Sequence, residues 1–307
     1  MELLKISSNG NGRRICFLGE GNFSFCRLLC QNEDVEPKNI LATCYEPEPI
    51  SDTAKDNIDD LKAKGVQIKM NFDATKMDAY DIGRFDLVIF MFPHIGGKMK
   101  IDKNRELLKK FGLSVSKVLN EKGQVLVTLC DGQGGTSFDI HPRIESDSWQ
   151  ILKMMSYGKL ALVQAETFQL QKFPGYNSYG YRSLDKPFHN ENGTIHVFKS
   201  FPSIFEASNE SIKMLESPQY VNDISFWYDE KDFKLDIFKE TVTKISENSV
   251  IETQLIDEYF CSKRQRTSMT FRLTYVNLNH IINPEDVMIL HYKIGQVLSE
   301  KLNIVIR

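Results

Sequence analysis

Residues 15–25 read Ile15-Cys16-Phe17-Leu18-Gly19-Glu20-Gly21-Asn22-Phe23-Ser24-Phe25. Four apolar residues run into a glycine, and the residues from 23 to 31 read as a helix. A buried strand that turns through glycines directly into a helix is the opening unit of a doubly wound α/β sheet. Outward from it, short apolar runs at 40–45, 66–70, 86–91 and 124–129 alternate with helical stretches at 51–64 and 103–120. In the last of these, Leu107, Leu108, Phe111, Val115, Val118 and Leu119 recur at helical spacing. A helix at 149–157 and strands at 159–167 and 194–199 complete the series. Alternating strands and helices predict parallel βαβ units, whose strands are apolar throughout because both faces are covered.

The pattern changes after residue 201. Residues 202–218 are polar, with two prolines and several Ser and Asn, and read as a domain boundary. Beyond it the order is strand 223–228, helix 233–245, strands 249–259 and 268–276, helix 284–302 and a closing strand at 303–306. Asn283 is a candidate N-cap, with Pro284 in the first turn. This β-α-β-β-α-β order is that of a ferredoxin-like split βαβ unit. The expected organisation is a Rossmann-like α/β domain at 1–201, a linker at 202–217 and a ferredoxin-like α+β domain at 218–307.

The chain has 307 residues with 38 Lys and Arg against 41 Asp and Glu, a net charge of −3. Binding to a polyanion must therefore come from local patches. No apolar run approaches the roughly 20 residues that span a bilayer, and residues 1–12 lack the apolar core of a signal peptide. An intracellular protein is expected, of cytoplasm or nucleolus, with the mitochondrion also open. Cys16, Cys26, Cys30, Cys44, Cys130 and Cys261 form no C-x-x-C pair. They read as reduced core residues, and no metal site is expected.

Candidate site residues cluster where the strands end. Glycines at Gly19 and Gly21 allow a ligand close to the backbone, with Glu20, Asn22 and Phe23 in the same turn. Glu46, at the end of the second strand, is placed to accept ribose hydroxyls. Asp73, after the third, is placed to meet an adenine amino group. The dinucleotide pattern G-x-G-x-x-G is absent, since position 24 is Ser. A tight turn without a ligand, and a solvated Glu46, are the plain alternatives. In the C-terminal domain Lys263, Arg264 and Arg266 sit between two strands, with Arg272 and Arg307 near them in the pattern. Such residues suit phosphate contacts; a solvated hairpin tip is the alternative.

These motifs, in order, resemble the eukaryotic ribosomal RNA uridine-N3 methyltransferase-like family. The resemblance rests on Leu18-Gly19-Glu20-Gly21-Asn22-Phe23-Ser24-Phe25, Ala42-Thr43-Cys44-Tyr45-Glu46, Phe72-Asp73-Ala74-Thr75, the run from Phe85 to His94, Asn104-Arg105-Glu106, Val127-Thr128-Leu129 and Phe173-Pro174-Gly175-Tyr176. It covers about residues 13–200. It implies a class I methyltransferase fold, S-adenosyl-L-methionine as cofactor and RNA as substrate, with uridine N3 of rRNA as the expected target. Cys130-Asp131-Gly132-Gln133-Gly134-Gly135-Thr136 resembles one branch of that family. Residues 216–307 resemble the ferredoxin-fold anticodon-binding module at the end of the phenylalanyl-tRNA synthetase chain.

For methyl transfer, His94 is the expected proton acceptor, Asp131 a second candidate, and Phe92 a ring that could stack on a flipped base. Tyr176, Tyr179, Tyr181 and Arg182 form a possible RNA-facing loop, or one that closes over the cofactor. The family's fourth-strand motif usually reads Asn-Phe-Pro-His; here it is Met91-Phe92-Pro93-His94, and a thioether is only a weak acceptor. That departure favours a different reading, a non-catalytic RNA-binding scaffold. The anticodon-binding-like module favours a third, a methyltransferase for tRNA.

Overall fold

The structure is a computed structural model that describes residues 12–96, 100–178, 190–201, 214–229, 231, 233–276 and 281–307. The chain divides into two compact units, Met1–Glu216 and Ser217–Arg307.

Among its described residues the first unit has seven strands: β1 (Ile15–Leu18), β2 (Ile40–Thr43), β3 (Gln67–Lys69), β4 (Phe85–Met91), β5 (Leu119–Leu129), β6 (Leu160–Thr167) and β7 (Thr194–Ser200). They form one sheet in the order β3-β2-β1-β4-β5-β7-β6. The first five run parallel to one another. β7 runs antiparallel between β5 and β6, which the alternation of elements does not reveal. Its helices are α1 (Ser24–Leu29), α2 (Asp52–Ala63), α3 (Ile101–Val118) and α4 (Ile151–Ser156). The Ser51 hydroxyl caps α2 by accepting from the Ala54 N–H at 3.1 Å.

The sheet is covered on both faces, so successive residues of β1 enter two different cores. Cys16 and Leu18 pack with Leu108, Phe111 and Val115 of α3 and with α4. Ile15 and Phe17 pack with Phe25, Cys26 and Leu29 of α1 and with α2. β5 starts earlier than its apolar run suggests. Leu119 pairs with Phe85, and the register then shifts so that Gln124 pairs with Leu87.

The second unit contains β8 (Tyr220–Tyr228), α5 (Leu235–Ile245), β9 (Val250–Cys261), β10 (Arg266–Tyr275), α6 (Pro284–Leu302) and β11 (Val305–Ile306). Its antiparallel sheet has the order β11-β8-β10-β9, the ferredoxin-like arrangement. Phe226, Phe271, Leu273 and Tyr275 pack on one face against Phe238 and Val242 of α5 and Ile294 and Leu298 of α6. Asn283 and Asp286 form a complete capping box at the start of α6.

The sequence placed residues 202–217 in a linker. Residues 202–213 lie outside the described residues, and the end of that stretch is tied to the first unit. The Leu215 N–H donates to the Leu162 carbonyl, and the Glu216 carboxylate accepts from the Ser137 N–H and hydroxyl. Among the described residues no helix is long and apolar enough to cross a membrane.

Candidate functional site

The carboxyl ends of β1, β2, β4 and β5 bring the motif loops together. After β1, Gly19 takes a left-handed φ of 62°, and a Cβ there would lie 2.8 Å from the Phe90 ring. The Glu20 N–H donates to the Thr43 carbonyl, fixing the turn to β2. The Glu20 side chain turns inward and accepts from the Cys26 N–H at 3.4 Å. Burial pushes its carboxyl up to about 7, against the opposing pull of the Cys26 and Phe25 N–H groups. Glu20 thus supplies the acceptor that Phe23, the N-cap of α1, cannot provide with its phenyl ring.

Asn22 is 3% exposed. Its Oδ1 accepts from the Ser24 N–H, and its carbonyl accepts from Asn57 of α2 at 2.8 Å. Its Nδ2 is buried and has no hydrogen-bond partner among the described residues. A buried amide donor without an acceptor is costly, and an oxygen-bearing ligand at this loop would satisfy it.

The Phe173–Tyr176 motif packs onto this loop. Ser24 Oγ and the backbone of Asn177 exchange hydrogen bonds at 3.1 and 3.0 Å. The Tyr176 ring meets Phe25 edge-on at 5.2 Å and lies parallel to Phe92 at 6.5 Å. Tyr176 is therefore a buried clasp and not an RNA-facing ring; Tyr179, Tyr181 and Arg182 lie outside the described residues. Ser24, Asn57 and Asn177 were not read from the sequence. Their roles depend on chain segments far apart in number.

Glu46 is exposed just beyond β2, its carbonyl held by the Asn71 N–H. Asp73 is more committed than expected. Its Oδ1 accepts from both the N–H and hydroxyl of Thr75, and its Oδ2 pairs with Lys76. Burial raises its pKa, yet these bonds outweigh that and hold it low.

Beyond β4, Met91 is buried and its sulfur accepts from the Thr128 hydroxyl at 3.2 Å. Phe92 corrects the sequence reading. It is 6% exposed at a left-handed φ of 49°, with its ring against Phe168 and Tyr176, and offers no open face to a base. His94 is half-buried, its ring 5.8 Å from Trp149. Burial, and then the Lys100 charge, lower its pKa and favour the neutral imidazole. The motif at Asn104-Arg105 props this corner. Asn104 Oδ1 accepts from the Ile95 N–H at 3.0 Å, and the Arg105 guanidinium donates to the carbonyls of Glu145, Ser146 and Ser148 beside Trp149. Asp131 is not brought to His94 by any hydrogen bond. It accepts from the N–H and Nδ1 of His141, and these bonds outweigh burial and keep it low.

One buried network was not anticipated. His196 lies beneath the loop that follows β5. Its Nδ1 faces the Val127 carbonyl at 3.3 Å and its Nε2 the Thr136 hydroxyl at 3.4 Å. Asp139 accepts from the Thr136 N–H and the Thr194 hydroxyl. Burial pushes His196 down to about 4. A Cβ at Gly134 would stand 2.8 Å from His196, so the loop closes over the imidazole only because that position is glycine. A lone histidine in an apolar strand is the one signal the sequence carried.

In the second unit Lys263, Arg264 and Arg266 are exposed at the β9–β10 hairpin. Arg272 stands apart from them. Its guanidinium makes a two-pronged bond to Asp223 at 2.8 and 2.9 Å, so the assignment to RNA is corrected: this charge is already matched on the sheet.

The fold and the converging loops define a class I methyltransferase domain followed by a ferredoxin-like module. The chain belongs to the rRNA (uridine-N3-)-methyltransferase BTM5-like family, whose profile matches residues 16–180, more than half of it. The ferredoxin-fold anticodon binding domain profile matches residues 216–307. The human ferredoxin-fold anticodon-binding domain-containing protein 1 is 39% identical over 207 residues, covering 65% of this chain and 33% of that protein. The chain thus spans about a third of the human relative and 31% of its mouse homolog. The 25S rRNA (uridine(2634)-N(3))-methyltransferase of Saccharomyces cerevisiae is 22% identical, covering 64% of this chain and 75% of that protein. The mouse mitochondrial phenylalanine–tRNA ligase is 26% identical over 99 residues, covering 31% of this chain and 22% of that protein.

Proposed function

We propose that the chain is an S-adenosyl-L-methionine-dependent RNA methyltransferase acting on uridine N3 of ribosomal RNA inside the cell, with the second unit holding the RNA. The observation that carries this reading is the loop after β1, where the buried Asn22 amide lacks an acceptor and Gly19 and Gly21 leave the backbone approachable. Asn22 and the Gly19–Gly21 backbone would hold the cofactor, with the exposed Glu46 carboxylate as acceptor for its ribose. Asp73, already engaged with Thr75 and Lys76, contributes through its place in the turn. Bound there, S-adenosyl-L-methionine supplies an electrophilic methyl group on a sulfonium. The protein's work is then alignment, worth about 7–11 kcal/mol of barrier when well achieved, and removal of the uridine N3 proton. His94, whose neutral form burial favours and whose ring lies 5.8 Å from Trp149, would accept that proton.

Met91 favours the competing reading of an RNA-binding scaffold, because its sulfur is turned into the core toward Thr128. Methyl transfer from radiolabelled cofactor to separated rRNA and tRNA, followed by nucleoside analysis, decides between them. Label recovered as N3-methyluridine in rRNA, with kcat lowered about 10²-fold or more in His94→Ala, is expected. Label in tRNA changes the substrate. Absence of label from a cofactor-bound protein leaves the scaffold.

A further inference from the structure

On the face of the second unit's sheet away from α5 and α6, Trp227, Ser268 and Tyr259 lie in one row across β8, β10 and β9. Two guanidinium groups converge on this row. Arg307 lies 4.8 Å from the centre of the Trp227 ring and 5.6 Å from that of Tyr259. Arg264, from the hairpin, lies 5.4 Å from the same indole. Trp227 is 8% exposed, so its ring is covered and is no platform for a base.

Two like charges on one ring repel, and among the described residues neither has a carboxylate partner; the Asp223 carboxylate on this face is taken by Arg272. Arg307 Nη1 donates to the Tyr259 hydroxyl at 3.0 Å and the Ser268 hydroxyl at 2.8 Å. These bonds orient the guanidinium while leaving its Nε–Nη2 edge for another acceptor. That edge matches two oxygens of a phosphate. The indole holds both planes in place, so little rotamer freedom is lost on binding.

We propose that Arg264 and Arg307, laid on Trp227, form a phosphate fork through which the second unit grips the RNA backbone without reading bases. This rests on the RNA-binding reading above and gives it a chemistry: contacts to phosphate, which position the strand and carry no sequence information. Arg266 extends the positive edge, and Arg272 takes no part.

The test is fluorescence anisotropy of the full chain with a labelled oligouridine 12-mer at several KCl concentrations, together with a titration of inorganic phosphate. Arg264→Gln with Arg307→Gln should weaken oligouridine binding about tenfold or more and reduce the salt slope by roughly 1. Arg307→Lys, which keeps the charge and loses the fork, should fall between. Lys239→Gln with Lys244→Gln, an equal charge loss at two exposed positions of α5, should change little. The single Arg264→Gln variant, at an exposed side chain with no hydrogen bond, guards against misfolding as the cause. Wild-type affinity and slope in the folded double variant would overturn the proposal and leave RNA binding elsewhere. Equal weakening by Lys239→Gln with Lys244→Gln would overturn it in favour of diffuse charge. Phosphate binding lost in the double variant, with no oligouridine bound by the wild type, would overturn the RNA reading itself.

Discussion

Glu20 and His196 are both buried in the first unit, and burial disfavours the charged form of each, with opposite consequences for pH. The Glu20 carboxyl is raised from 4.5 to about 7, so its contribution is full below about 4.5 and is lost as pH rises through 7. The His196 imidazole is lowered from 6.5 to about 4, so its contribution is full above 6.5 and is lost as pH falls through 4. Between 4.5 and 6.5 the two slopes, each about 1.4 kcal/mol per pH unit, oppose and cancel. Glu20→Gln should unmask His196: the first unit would lose about 3 kcal/mol between pH 6.5 and 4.5. Urea unfolding followed by Trp149 fluorescence, in a Trp227→Phe background, measures this. An unchanged, flat profile in Glu20→Gln would contradict it. Phe92→Ala belongs at the same scale. Its ring fills the core, so the substitution should cost about 3–5 kcal/mol of stability by the same urea titration. The sequence placed His94 and the Gly19–Phe23 turn correctly beyond their strands. It did not show that Glu20 and Phe92 point inward, because a side chain's direction in a turn follows no period.

At the level of elements, α1 is only six residues long and has no side-chain cap of its own. An isolated helix so short does not persist. It is held by Glu20 at its start and by the Ser24–Asn177 exchange from the segment after β6. Ser24→Ala should loosen that clasp and weaken cofactor binding about thirtyfold with the fold intact, a change of about 2 kcal/mol for the two hydrogen bonds lost with the hydroxyl; calorimetric titration reads it. In the second unit, Asn283→Ala removes the capping box of α6 and should cost about 1 kcal/mol, followed by thermal unfolding on Trp227 fluorescence. The alternation of apolar runs and amphipathic stretches was enough to order nearly every strand and helix. The antiparallel entry of β7 and the early, irregular start of β5 were not legible. Apolar character tells that a strand is buried, not which way it runs or where its register slips.

For the whole molecule, two units with separate cores divide the work. One gathers the strand-end loops around an approachable glycine turn, and the other lines up paired guanidiniums on a sheet. The division was visible as a change of pattern near residue 202, yet Leu215 and Glu216, inside the expected linker, are tied to the first unit. Side-chain pairing such as Arg272 with Asp223 separates matched charges from available ones, and only the register of the strands reveals it. The turn after β1 is proposed as a working cofactor site. Calorimetric titration of the full chain with S-adenosyl-L-methionine, beside the Gly21→Asp variant, tests it most directly. Micromolar binding that is abolished in a folded Gly21→Asp protein is expected; no heat of binding from the folded wild type would rule that site out.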